Sequence, residues 1–155
     1  MSESITVIEG VEGFEALAGQ EAAVSEWRTI DQAQVNAFAD ATGDHQWIHT
    51  DPERAKDSPF GGTIVHGYFI LSLHPSLLYS AIEVRGHGSS INYGLNKVRF
   101  VSPLPTGSRV RLRIAVASVD RNDGGWQVTW NLTWEREGGD KPVCVAETIS
   151  RYRSA

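Results

Sequence analysis

Ile64-Val65-His66-Gly67-Tyr68-Phe69-Ile70-Leu71-Ser72-Leu73-His74-Pro75-Ser76-Leu77-Leu78-Tyr79-Ser80-Ala81-Ile82 is the stretch on which the fold turns. Drawn as a helix it is apolar on nearly every side, and such a helix belongs inside a protein. Pro75 has no N–H to donate and its ring crowds the preceding turn, so it must kink or divide the helix. A buried helix needs something to wrap it, and the C-terminal half supplies strands. Val110, Leu112, Ile114 and Val116 alternate with Arg109, Arg111, Arg113 and Ala115. Trp126, Val128, Trp130, Leu132 and Trp134 alternate with polar neighbours in the same way. Period two with one apolar face marks half-buried antiparallel strands. The tryptophan stripe reads as core or subunit contact.

Turn chemistry separates these strands. Asn122-Asp123-Gly124-Gly125 suits a hairpin, and Gly138-Gly139-Asp140-Lys141-Pro142 makes the next turn. Val143 to Arg153 and Ser90 to Val101 are the remaining strands, so four strands are expected to form a meander. A strand near residue 25 must return to that sheet. Upstream, Asp31 is an N-cap for a helix bearing Val35, Phe38 and Ala39, which Thr42-Gly43 ends. Asp51-Pro52 opens a second, short helix, and Ser58 to Gly62 is a loop. The whole is α+β, an antiparallel sheet curled around one central helix. Its length of 155 residues suits one domain, 1–155, with residues 1–20 as a peripheral N-terminal extension.

Composition narrows the function classes. A net charge of -5 without a lysine or arginine run argues against nucleic acid as partner. One cysteine, Cys144, excludes an internal disulfide framework and a multi-cysteine metal site. The Met1-Ser2-Glu3-Ser4 start lacks the basic and apolar regions of a signal peptide. His66, His74 and Pro75 interrupt the longest apolar run too often for a membrane span. A cytoplasmic protein is expected.

Two segments carry chemistry. Gly43-Asp44-His45-Gln46-Trp47-Ile48-His49 sets an aspartate and a histidine five positions apart, and His66-Gly67 opens the apolar helix. A carboxylate, an imidazole and a glycine at a helix start suit one task, placing a water against a polarised carbonyl compound. Histidine takes a proton near working pH. Aspartate orients the water. An amide in the first helical turn has no partner within the helix and can hold developing negative charge. The plainer alternative makes Asp44 a turn residue and His49 a loop histidine with local bonds. His45 is expected to face away, His66 to bind substrate or to pin the loop to the helix, and His74 and His87 to be packing or solvent residues. Asp44, His45 and His49 match no common metal-ligand spacing, and no Rossmann or P-loop glycine motif is present, so neither a metal nor a nucleotide cofactor is expected.

The Asp44-x4-His49 loop, Ile64-Val65-His66-Gly67, and Asn92-Tyr93-Gly94-Leu95-Asn96-Lys97-Val98-Arg99-Phe100 followed by Pro103 together resemble the MaoC-like dehydratases. These are the (R)-specific enoyl-CoA hydratases of the hotdog fold, and the loop wording is closest to the nodulation protein N-like branch. The resemblance spans roughly residues 20–153. It implies Asp44 and His49 as the catalytic pair and the Gly67 amide as oxyanion hole. It implies a homodimer of two sheets joined edge to edge. The substrate it implies is an acyl-CoA or acyl-carrier-protein thioester, hydrated without metal or other cofactor. The family loop commonly has Asn-Pro where Gln46-Trp47 stands here, and a supporting helix serine falls at Pro75, with Ser72 and Ser76 nearby. Ser72 is the serine carried over as substrate-binding. Lys97 and Arg99, or the row Arg109, Arg111 and Arg113, are candidates for the substrate's phosphates. Two alternatives stand beside hydration: a thioesterase on the same fold, and an acyl-thioester-binding protein without turnover.

Overall fold

The computed structural model describes residues 4–155, so the first three residues of the expected domain lie outside the described residues. The chain begins with β1 (Thr6–Glu9) and α1 (Gly10–Leu17), then β2 (Gln20–Val24), β3 (Arg28–Thr29) and α2 (Gln32–Thr42). Two single turns follow, α3 (Trp47–Thr50) and α4 (Pro52–Ala55), then the central pair α5 (Gly67–Ser72) and α6 (His74–Ala81). β4 (Ile82–Arg85), β5 (Ser89–Arg99), β6 (Arg109–Asn122), β7 (Gly125–Arg136) and β8 (Cys144–Arg153) complete it.

A six-stranded sheet runs β2-β6-β7-β8-β5, with β3 also on β6. The expected return of a strand near residue 25 is thus met by two short strands. β6, β7 and β8 form the meander, but β5 does not join β6. It pairs antiparallel with β8, from Ser89↔Arg153 to Arg99↔Val145, and closes the far edge. The linker from Val101 to Ser108 crosses the molecule through Leu104, which is fully buried, so the chain reaches β6 from the opposite side.

The expected helix over 64–82 is two helices. Pro75 lies in the first turn of α6, where its missing N–H costs nothing, and the break falls at Leu73. Ile64 and Val65 are extended instead. Ile64 donates to the Ile48 carbonyl at 3.0 Å and Val65 to the Leu104 carbonyl at 2.8 Å. Ile82 opens β4, which pairs in parallel with β1. Nor is the helical segment apolar on every side in effect, because Tyr68 and Tyr79 are 72% and 68% exposed.

Residues 5–19 are not peripheral. Phe14 of α1 is fully buried and meets Trp130 edge-on at 5.6 Å and Tyr152 at 5.1 Å. Ile8 is buried as well. The segment packs on the buried face of β7 and β8 through these aromatic contacts. Trp130 and Trp134, both fully buried, belong to the core. Leu77 and Ile70 meet that core from the central helices, and a buried leucine of this kind contributes about 2–3 kcal/mol.

Candidate active site

Asp31 caps α2 in a full capping box: its carboxylate accepts the Gln34 N–H, and the Gln34 side chain accepts the Asp31 N–H. Gly43 ends the helix in the left-handed conformation at φ 82° and turns the chain toward Asp44. From there the chain passes into α3, so His49 sits on a helical turn and not in an open loop. Thr50 Oγ1 donates to the His45 carbonyl, and His45 itself points outward to Asp40 at 3.8 Å.

Ile64 holds α3 at two points. Its N–H donates to Ile48, and its carbonyl accepts a hydrogen bond from His49 Nδ1 at 2.6 Å. A carbonyl can only accept, so Nδ1 carries the proton and Nε2 keeps its lone pair. Gln32 adds a third tie, donating to the His49 carbonyl at 2.8 Å while its own oxygen accepts from Thr63. His49 is 7% exposed. Burial lowers its pKa below the ordinary 6.5 and the neighbouring His66 adds to this, against the Ile64 hydrogen bond and the Asp44 charge, which raise it. The imidazole is therefore neutral at pH 7, the form a base requires.

His66 is 2% exposed, stacked on His49 with ring centroids 3.9 Å apart. Its Nε2 donates to the Asp44 carbonyl at 3.0 Å and lies 4.0 Å from the carboxylate. Enclosed in this way, the ring ties the Asp44 loop to the start of α5. The side chain of Asp44 is half exposed and accepts the Gln46 N–H at 3.3 Å. Asp44, His49 and His66 bring one donor atom each within 4.8 Å of one another, the group that could also hold a divalent ion. It differs from the trio weighed from sequence, with His66 in place of His45.

Gly67 follows at the first position of α5. A Cβ there would lie 2.9 Å from the Phe100 ring, so the glycine lets Phe100, just past the end of β5, close over the helix start. Ser72 is exposed, and its hydroxyl donates to the Phe69 carbonyl at 2.7 Å. It borders a cavity of 430 Å³ between the central helices and β5. Lys97 and Arg99 are exposed on one face of β5, two residues apart. The arginine row of β6 is neutralised: Arg109 pairs with Glu137, and Arg111 and Arg113 with Glu135, while Arg111 also stacks on Trp27. Sequence reasoning did not find the Ile64 clip, the Gln32 tie or the Phe100 contact. No residue type announces a main-chain acceptor.

Residues 13–134 match the MaoC like domain family. The chain is 53% identical over 145 residues to 3-hydroxyacyl-thioester dehydratase Z of Mycobacterium tuberculosis, covering 93% of this chain and 96% of that one. It is 45% identical over 135 residues to nodulation protein N of Rhizobium leguminosarum bv. viciae, covering 85% and 84%. Among solved structures it is similar to the (R)-hydratase from A. caviae involved in PHA biosynthesis, with a TM-score of 0.70 at 28% identity over 86% of this chain and 94% of that one. With its sheet curled around a divided central helix and its three motifs in register, the chain belongs to the MaoC-like dehydratase family of the hotdog fold.

Proposed function

We propose that this chain, as a single hotdog domain over 1–155, reversibly hydrates trans-2-enoyl thioesters to (R)-3-hydroxyacyl thioesters. The observation that carries the reading is the half-exposed Asp44 carboxylate set beside the neutral His49 imidazole. The relatives' names, a thioester dehydratase and an (R)-hydratase, support the same chemistry. His49 Nε2 takes the proton of a water that Asp44 orients. The water oxygen bonds to C3, and the electron pair of the double bond moves toward the thioester oxygen. The Gly67 amide, one of the first-turn donors without a helical partner, holds that charge. α5 has only six residues, so the amide itself matters more than a helix dipole. A proton returned through Asp44 to C2 completes the addition, and no metal or other cofactor enters.

Lys97 and Arg99, without ion-pair partners among the described residues, take the substrate's phosphates, with acyl-CoA or an acyl-carrier protein as carrier. We further propose a homodimer joined through the free edge of β5. That strand carries Ile91, Tyr93 and Leu95 at 61%, 52% and 50% exposure, more apolar surface than an edge normally leaves to water. Among the described residues no helix is long and apolar enough to cross a membrane. The single free cysteine suits a reducing compartment such as the cytoplasm.

The test is absorbance at the enoyl-thioester band with crotonyl-CoA, beside a free-thiol assay. Loss of the band without thiol is the expected result. Thiol release would make the protein a thioesterase, and silence in both assays would sink the hydratase reading.

A further inference from the structure

β5 tracks the central helices. The ring of Phe100, just past its end, lies on Gly67, and the strand's residues 92–95 face α5 and α6 across the 430 Å³ cavity. Leu71, Pro75, Leu95 and Ile149 give that cavity apolar walls, and no Lys, Arg, Asp or Glu lines it. Leu71 stands one helical turn from Gly67 on the same face, and His74 about 10 Å along in helical rise. The cavity is therefore where a chain lying along α5 from the Gly67 amide would arrive.

Two buried polar side chains, Thr148 and His74, line this cavity beside Ser72 and Asn92. The inner face of β8 reads Cys144, Ala146, Thr148, Ser150, Tyr152, all buried. Ser150 accepts the Trp130 indole N–H at 3.1 Å. Thr148, 3% exposed, has no partner for its hydroxyl. His74, 8% exposed, lines the same cavity. Burial alone brings its pKa down to about 4, with no hydrogen bond or nearby charge contributing, so the ring is a neutral donor and acceptor. A buried hydroxyl left unpaired is uncommon, because it forfeits its bonds to water. An enoyl thioester with a plain hydrocarbon tail would leave the Thr148 hydroxyl unpaired.

We infer that this cavity receives the distal part of the acyl chain, and that His74 and Thr148 select chains carrying an uncharged oxygen function there, a hydroxyl or a carbonyl. The inference rests on the hydratase reading and narrows its substrate class. A distal carboxylate is disfavoured, since the cavity offers no cation to balance it.

The experiment compares kcat/KM for trans-2-octenoyl-CoA with that for its 8-hydroxy and 7-oxo analogues, with crotonyl-CoA as reference. The protein is expected to prefer at least one oxygenated chain by tenfold or more. Thr148→Val, which keeps the shape and removes the hydroxyl, should bring the ratio near unity, and Thr148→Ser should keep it. His74→Phe gives a second reading of the same ratio. Preference for the plain chain, or a ratio indifferent to both Thr148→Val and His74→Phe, overturns the inference and leaves hydration standing. So does hydration of crotonyl-CoA with no turnover of any octenoyl substrate. If crotonyl-CoA too is untouched, the hydratase reading falls and takes the inference with it.

Discussion

Two buried polar sites lie along one pair of helices and are finished differently. At the start of α5, the His49 and His66 rings each donate to a main-chain carbonyl, of Ile64 and of Asp44. At the junction with α6, the Thr148 hydroxyl has no partner, and burial alone lowers the His74 pKa. Both sites meet solvent on one side, since Asp44 and Leu95 are half exposed, but only the first is held in place by the protein's own bonds. A ring that donates through one nitrogen has its other nitrogen fixed in direction, which is what proton transfer needs. A buried polar group without a partner is oriented by nothing in the chain, and has most to gain from a ligand. On the proposed reading the first site carries the chemistry and the second discriminates between chains.

The comparison breaks most sharply at the first site. Asp44→Ala and His49→Ala should each lower kcat by a hundredfold or more, with circular dichroism and melting temperature nearly unchanged for the half-exposed Asp44. A folded Asp44→Ala protein with the parent rate would falsify the proposed mechanism. The second site should instead show itself in stability. Folded, His74 titrates at about 4, whereas the unfolded chain takes its proton near 6.5. Above pH 6.5 neither state is protonated and His74 contributes nothing to the pH dependence. As pH falls from 6.5 toward 4 only the unfolded chain binds the proton, so stability drops by about 3 kcal/mol. Urea unfolding at pH 7 and pH 4 should show that loss shrinking by about this amount in His74→Phe. An equal loss in parent and variant would mean that the ring is not held neutral.

What was legible in the sequence divides along the same line. Period-two alternation exposed β6 and β7, and capping chemistry placed both ends of α2, because those signals are local. The pairing of β5 with β8, and the return of Phe14 to the core, depend on where distant segments meet, which no local pattern states. Pro75 announced a break but not its side, and the β-branched Ile64 and Val65 went to extended structure since Ile48 and Leu104 offered them acceptors. At the site, Asp44, His49 and Gly67 stood out by type and spacing. His66 was legible as a residue and, among two alternatives, as the pin between loop and helix, which its bond to the Asp44 carbonyl fits. Thr148 and Ser150 were visible as hydroxyls on the buried phase of β8, and with His74 they could have marked the cavity.

A smaller effect sharpens the first site. His66→Phe keeps a flat ring against His49 but removes the donor to Asp44 and the charge that disfavours a proton on His49. We expect a loss of about tenfold in kcat from the loosened loop. The acid limb of the pH profile should move up toward 6.5, because one of the causes that lower the His49 pKa is gone. A limb that stays in place would assign His66 to packing alone.

The smallest effect concerns the surface outside both sites. A protein of net charge -5 has no general attraction for a polyphosphate carrier, so any steering must come from local cations. Arg109, Arg111 and Arg113 have carboxylate partners, whereas Lys97 and Arg99 form no ion pair among the described residues. Such charges act through water and are screened beyond about 8–10 Å at ordinary salt, so each should matter by a few-fold at most. Lys97→Ala and Arg99→Ala are expected to raise KM for crotonyl-CoA two- to fivefold and to flatten its dependence on ionic strength, with kcat little changed. For the N-acetylcysteamine thioester, which has no phosphates, the same substitutions should leave KM where it was. Arg111→Ala, whose charge is already spent on Glu135 and Trp27, supplies the contrast. If it raises KM for the CoA ester alone while the β5 variants do not, the carrier lies along β6, and the path from the surface to Gly67 runs over the opposite end of the sheet.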